Sequence, residues 1–267
     1  MKCPNPIVVR DKENNSSYAP CGKCPICLTN RREEWTIRMI EEYKSHDYAV
    51  FITLTYDEEN ITRNDQGFPS VVKEDLQKFI KRLRSKTRKK IKYFAISEYG
   101  PATYRPHYHV ISFGLAVSDT DIIERSWNQG IVTVDKLTPR RISYAARYHA
   151  DKGYTPRGRD PTFCLMSKGL GKDYIDRMAD HHDGNLDQMY YQLYEFKKKM
   201  PRYFMLKLYS KEERQANASK ITEREDLKEQ MEISRLKGEK LYFKAIISRN
   251  KQREASFIKK QKLNRKL

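Results

Sequence analysis

The sequence predicts an α+β fold: a central antiparallel sheet with flanking helices, preceded by a Cys-rich N-terminal segment and followed by a basic helical C-terminal tail. Three observations predict it. Short apolar strands interleave with amphipathic helices through partly short links, the pattern of helices layered on a mainly antiparallel sheet. One strand, "HYHVISFG", is apolar on both faces, which places it centrally in that sheet. Charge is segregated: residues 197–267 hold 22 Lys/Arg against 9 Asp/Glu, a net +13, whereas the first 196 residues hold 31 against 26, only +5.

The elements follow in order. Residues 1–28 carry four of the five cysteines and little periodic structure. A helix is expected from near Asn30, with Glu33 placed as in a capping box and Trp35, Met39 and Tyr43 spaced as one packed face. "YAVFITLTYDEE" is rich in β-branched and aromatic residues and predicts a strand. "KEDLQKFIKRLRSKTRKK" predicts a helix that buries Leu76, Phe79, Ile80 and Leu83. "IKYFAISEYG", "HYHVISFG" and "QGIVTVDKL" supply three further strands, with a short helix "DTDIIERSWN" before the last. After Pro139, "RRISYAARYHADKG" predicts a helix stopped by Gly153. Residues 153–173, rich in Gly, Pro and Arg, predict a long loop of the kind that is functional or mobile. "LDQMYYQLYEFKKKM" and most of residues 210–267 are expected to be helical.

At 267 residues the chain can bury a sizeable core as one large domain or two modest ones. A hydrophobic share of 38% beside 33% charged residues is not the composition of a generally disordered chain. The net charge of +18 points to a polyanionic partner, with the tail touching nucleic-acid phosphates or forming a solvated face. No apolar run is long enough to span a membrane, and "MKCPNPIVVRDKENN" lacks the apolar centre of a secretory signal. A soluble intracellular protein without a membrane partner is expected.

Chemistry concentrates in three places. Strand side chains alternate, so His107 and His109 project together with Ile111 and Phe113, a ready pair of metal ligands. Glu98 closes the preceding strand on the face of Phe94 and Ile96, and a hairpin would bring it beside the histidines as a third ligand. Two imidazoles and a carboxylate leave coordination positions open, which suits Mg or Mn bound together with phosphate, or zinc. Tyr144, Tyr148 and Lys152 stand four residues apart on one helical stripe, next to Arg147. Such a stripe packs or reacts; a tyrosine needs a nearby cation or metal field to act as a nucleophile at neutral pH. Cys3, Cys21, Cys24 and Cys27 could close a structural zinc site, remain unliganded thiols, or hold an iron–sulfur cluster; Cys164 stands apart as an ordinary thiol.

"FITLTY", "SEYG…RPHYHVISFG" and "YAARYHADKG" occur in the order seen in HUH endonucleases. With "CGKCPICLTNRREEWTIRM", "SWNQGIVTVDKL", "MSKGLGKDY" and "MPRYFMLKL", the chain resembles the replication-initiation proteins of microviruses, the gokushovirus branch in particular, from about residue 3 to 210. The resemblance implies an HUH palm over residues 47–180, after a Cys-rich segment and first helix over 1–46 and before a basic helical region over 181–267. His107, His109 and Glu98 match the family's metal ligands, and Tyr144 and Tyr148 its paired nucleophiles. Adjacent lysines common in the family are replaced by "HADKG", leaving Lys152 for that role. The implied activity is metal-dependent nicking of single-stranded or supercoiled phage DNA at a replication origin. A 5′-phosphotyrosine forms and strands are rejoined in rolling-circle replication, with host DNA polymerase and helicase as partners in the bacterial cytoplasm. Proximity to Lys152 designates Tyr148 as the first nucleophile. A plasmid relaxase or transposase of the same chemistry is the alternative enzyme, and a non-catalytic single-stranded nucleic-acid-binding protein the alternative from another class.

Overall fold

β-Branched and aromatic residues dominate the middle of the chain, and there they build a five-stranded sheet. The computed structural model describes residues 3–10, 12–151 and 155–264. In chain order they form strands β1 (Ile7–Arg10) and β2 (Ser16–Ala19), helix α1 (Pro25–Lys44), strand β3 (Ala49–Tyr56), helix α2 (Lys73–Thr87), and strands β4 (Lys92–Tyr99) and β5 (Pro106–Phe113). Helix α3 (Thr120–Trp127), strand β6 (Gly130–Lys136), helix α4 (Pro139–Asp151), strand β7 (Cys164–Met166) and helix α5 (Asp173–His182) follow. Strands β8 (Tyr190–Leu193) and β9 (Phe196–Lys199) and helices α6 (Arg202–Leu208), α7 (Lys211–Arg235) and α8 (Glu239–Asn264) complete the described chain. Two compact units result: residues 32–177, and residues 1–31 with 178–267.

In the first unit the sheet runs β6-β3-β5-β4-β7, and every neighbouring pair is antiparallel. The fold is thus α+β, with β5 in the centre as its two apolar faces require. Alternation sends Tyr108 and Val110 to one face, where they pack with Leu76, Phe79 and Leu83 of α2 and Ile123 and Trp127 of α3. Ile111 and Phe113 go to the other, against Met39 of α1 and Ile142, Ala145 and Ala146 of α4. Each fully buried Phe or Leu contributes about 1.5–3 kcal/mol of transfer free energy, so both helical layers hold the sheet firmly. Gly130 opens β6 with φ +142°, and a Cβ there would stand 2.3 Å from the Asp57 nitrogen and 2.4 Å from the Thr55 oxygen. Only glycine lets β6 start against β3.

Four sequence expectations need correction or refinement. α1 begins at Pro25, not near Asn30; proline fits the first helical position, and the Leu28 amide already donates to the Cys24 carbonyl at 3.0 Å. Residues 7–19, without visible periodicity, form the hairpin β1–β2, whose strands are exposed on both faces and so show no alternation. The long loop after α4 contains an edge strand, β7, paired with Phe94–Ile96 of β4. "LDQMYYQLYEFKKKM" is not a helix but a short 3-10 turn followed by the hairpin β8–β9. Its buried Tyr191 between half-exposed Tyr190 and exposed Gln192 has the period of a strand.

In the second unit α7 starts with a complete capping box, the Glu213 amide donating to Ser210 Oγ at 3.1 Å and the Ser210 amide to the Glu213 carboxylate at 2.7 Å. Helices α7 and α8 are long and predominantly exposed, as the basic tail predicts. Among the described residues no helix is long and apolar enough to cross a membrane.

Candidate active site

The antiparallel register of β4 and β5 pairs Glu98 with His107 and Ile96 with His109. On the other side of β5, β3 pairs Thr53 with His109 and Thr55 with His107. Directly opposed residues share a face. Glu98, His107, His109 and Thr53 therefore emerge together on the face covered by α4.

The three expected ligands converge. Donor atoms of Glu98, His107 and His109 all lie within 4.8 Å of one another. His109 Nε2 is 3.4 Å and His107 Nε2 is 3.8 Å from Glu98 Oε2. The opposite ring nitrogens are already engaged: His107 Nδ1 lies 3.2 Å from the Arg105 carbonyl, and His109 Nδ1 lies 3.0 Å from Thr53 Oγ1. Contacts at Nδ1 fix the ring and turn Nε2 toward a metal, the usual arrangement behind a ligating histidine. Phe51 stacks on His109, ring centroids 5.1 Å apart, and further restrains it.

Electrostatics favour the ligating forms. Burial and the neighbouring His109 hold the His107 pKa below the ordinary imidazole value, so the ring is neutral, as coordination requires. Burial works against the Glu98 charge, but hydrogen bonding from His109 and Tyr148 and the adjoining imidazoles outweigh it, keeping the carboxyl below its usual range. Nitrogen and carboxylate donors with an open side fit a catalytic divalent ion better than a closed structural one.

α4 brings the tyrosines to this cluster. The Tyr144 hydroxyl donates to Glu98 Oε2 at 2.8 Å, and its ring lies 5.5 Å from that of His109 and 4.8 Å from that of Tyr148. Burial and the Glu98 charge raise both phenols; Tyr148 reaches about 12, with Arg147 pulling in the opposite direction, while Tyr144 is raised further. Lys152 lies outside the described residues. The sequence reading passed over two residues here. Thr53 is polar among buried neighbours, a signal that means something only once β3 is known to pair with His109. The Arg147 guanidinium sits 5.4 Å from the Tyr144 ring centroid and 5.3 Å from that of Tyr148, a cation held against both candidate nucleophiles.

In the other unit the four N-terminal cysteines also converge, their sulfurs within 4.8 Å of one another. Cys3 and Cys24 sulfurs are 3.8 Å apart, and those of Cys21 and Cys27 4.0 Å. Four thiolates around one tetrahedral ion at about 2.3 Å would stand about 3.8 Å apart, so the spacing fits a single ion. A cluster core would spread the sulfurs wider. Amides of Lys23 and Cys24 donate to Cys21 Sγ and draw its pKa down to about 6, whereas burial pushes Cys27 up to about 12. Cys164 lies on β7, remote in sequence from this set, and burial raises its thiol to about 12, the behaviour of an inert side chain.

Residues 49–153, which carry β3 to β6 and α4, match the family described under the heading replication-associated protein ORF2. The chain is 35% identical over 180 residues to the replication-associated protein ORF2 of Spiroplasma virus 4, covering 58% of this chain and 56% of that protein. Replication-associated protein VP4 of Bdellovibrio phage phiMH2K is 28% identical over 190 residues, covering 62% and 60%. Replication-associated protein ORF4 of Chlamydia phage 1 is 32% identical over 152 residues, covering 48% and 37%. The aligned stretches thus span less than two thirds of each relative. No solved structure matches the chain. The kinship with phage replication-associated proteins that the sequence segments suggest holds over the part of the chain that builds the sheet and its ligand cluster.

Proposed function

We propose that this chain is a replication-initiation endonuclease that nicks one strand at a phage DNA origin by tyrosine attack and later rejoins strands, as in rolling-circle replication. The observation that carries this reading is the convergence of Glu98, His107 and His109 beneath two tyrosines of α4, one already hydrogen-bonded to the ligand carboxylate. A packing stripe would not need a buried carboxylate and two imidazoles as its neighbours. The names of the phage relatives agree with it.

A divalent Mg or Mn held by Glu98, His107 and His109 would supply Lewis-acid polarisation and orientation of the scissile phosphate. The residues do the rest. A tyrosine oxygen attacks phosphorus as it loses its proton; the P–O3′ bond breaks and its electron pair leaves with the 3′ oxygen, which is protonated. The product is a 5′-phosphotyrosine and a free 3′-hydroxyl for a host polymerase, with a host helicase opening the duplex. Reversal by a 3′-hydroxyl closes the strand without an external energy source. Arg147 beside both rings offsets the negative charge that develops on the attacking oxygen. Tyr148, where that cation already opposes the rise in pKa, acts first, and Tyr144 serves the terminating cleavage. Lys152 is a second candidate cation. The Cys3, Cys21, Cys24 and Cys27 set holds a structural zinc, the basic tail adds sequence-independent phosphate contacts, and the whole acts in the host bacterial cytoplasm.

The test is incubation with single-stranded phage DNA and Mn, followed by a denaturing gel for covalent adduct and mapping of the modified peptide. An adduct on Tyr148 that disappears in Tyr148→Phe is expected, with Tyr144→Phe still nicking but failing to release closed circles. Nicking without any tyrosine adduct would sink the mechanism.

A further inference from the structure

The hairpin β8–β9 breaks local rules without any compensation from packing. Its two-residue turn is Tyr194–Glu195, and Tyr194 adopts φ 53°. That left-handed position favours Gly, Asn or Asp, and a bulky aromatic there is strained. Yet Tyr194 is 85% exposed, so no core contact explains it; Phe196, beside it at the tip, is 66% exposed. An outlier of this kind, held where it stabilises nothing, points toward function.

The rest of the hairpin indicates what the rings meet. Register pairs Tyr190 with Lys199 and Gln192 with Lys197, so these four share one face. Lys197 Nζ stands 4.2 Å from the centre of the Tyr190 ring. Lys197, Lys198 and Lys199 are consecutive, and the hairpin's lone acid is Glu195 in the turn. Buried Tyr191, 1% exposed, anchors the opposite face, so the exposed rings project from a fixed support. Exposed aromatic rings beside a run of cations match a flexible polyanion with accessible flat faces. A duplex hides its base faces, and a protein partner would use the rings without calling for three successive lysines.

We infer that Tyr190, Tyr194 and Phe196 form a stacking platform for bases of single-stranded DNA, with Lys197, Lys198 and Lys199 along the phosphates. The inference rests on the reading above only for the polymer being DNA; stacking needs no metal and no nicking chemistry.

The full-length protein is titrated by fluorescence anisotropy against labelled oligo-dT, an abasic strand of equal length, and a duplex. Wild type should prefer oligo-dT to the abasic strand about fivefold or more, because both carry the same phosphates. The double variant Tyr194→Ala/Phe196→Ala should lose about tenfold on oligo-dT and approach parity with the abasic strand. Tyr194→Gly relieves the left-handed backbone, so its melting temperature should rise while oligo-dT affinity falls; a structural role alone would not separate the two. Equal wild-type binding to oligo-dT and abasic strand, or variants that keep oligo-dT affinity, overturns the proposal and leaves the face for a protein partner. The same preparations are assayed for Mn-dependent covalent adduct. Adduct without base preference sinks the platform and spares the nuclease reading; base preference without adduct does the reverse.

Discussion

The two ligand clusters are built in opposite ways. Glu98, His107 and His109 stand on neighbouring strands of a sheet whose core side chains, Phe94, Ile96, Ile111 and Phe113, are essentially inaccessible to solvent. Thr53 and the Arg105 carbonyl already orient both imidazoles. The cysteine cluster has no such frame: buried Cys24, Ile26 and Cys27, with half-buried Cys3 and Cys21, constitute the local core. Thiols that are themselves the core need something to bind. The difference teaches where a metal would sit in the order of folding: the sheet makes its site before any ion arrives, whereas the cysteine segment is completed by its ion.

The comparison breaks most sharply at the ligands. His107→Ala and His109→Ala should each reduce covalent adduct to background in a gel assay, with the melting temperature within about 2 °C of the parent, because no fold depends on that ion. Cys27→Ser should behave inversely. It should expose residues 3–31 to limited proteolysis, as expected where metal binding supplies folding free energy, while hydrogen exchange within residues 49–113 stays slow. If the cysteine variant is as protease-resistant as the parent, the cluster is a set of ordinary thiols. A finer probe is Thr53→Ala, expected to weaken Mn affinity about 10–100-fold by freeing His109 Nδ1, with Thr53→Ser retaining it. Isothermal titration with Mn reads this directly.

The smallest effect concerns how the sheet unit holds itself without metal. Buried Glu42 accepts from Lys92 Nζ and from the Gly171 amide, each at 2.8 Å, and contacts His46 Nε2 at 2.7 Å. Burial tends to raise its pKa, but these partners hold it below the ordinary carboxylate value. A depressed carboxylate stabilises the fold above its unfolded pKa and ceases to do so as pH falls through the folded value. Glu42→Gln should therefore cost about 3 kcal/mol at pH 7 in urea unfolding, and the gap from wild type should narrow below about pH 4.3. A gap independent of pH would assign the loss to packing.

Much of the sheet unit was legible because each signal was local. Alternation within "HYHVISFG" gave the central strand and the histidine pair, and the short link from Glu98 to His107 gave the hairpin. Thr53 was not legible, because its role depends on which strand lies next to β5, a fact of register rather than of sequence. The β8–β9 segment failed for another reason: Leu, Gln, Glu and Lys are good helix formers, and only the burial of Tyr191 discloses the period of two. β1 and β2 are exposed on both faces, so no alternation exists to be read. The Cys-x2-Cys-x2-Cys spacing announced its cluster, although nothing local indicated that Cys3 would join it.

The six residues 100–105 that join β4 to β5 set more than a turn. Glu98 meets His107, and Ile96 meets His109, only because that link has its present length. One residue added within β5 ahead of His107 would, with pairing otherwise kept, turn both imidazoles to the opposite face, where Tyr108 now fills the core, and would carry Tyr108 into the ligand cluster. The histidines can thus leave the site together but not by halves. For a lineage under mutation, insertions and deletions in this stretch act as an on–off switch, while point changes on the strand faces tune the site by degrees. Length variation among descendants is expected to collect in the connections elsewhere and to spare the span from Glu98 to His109.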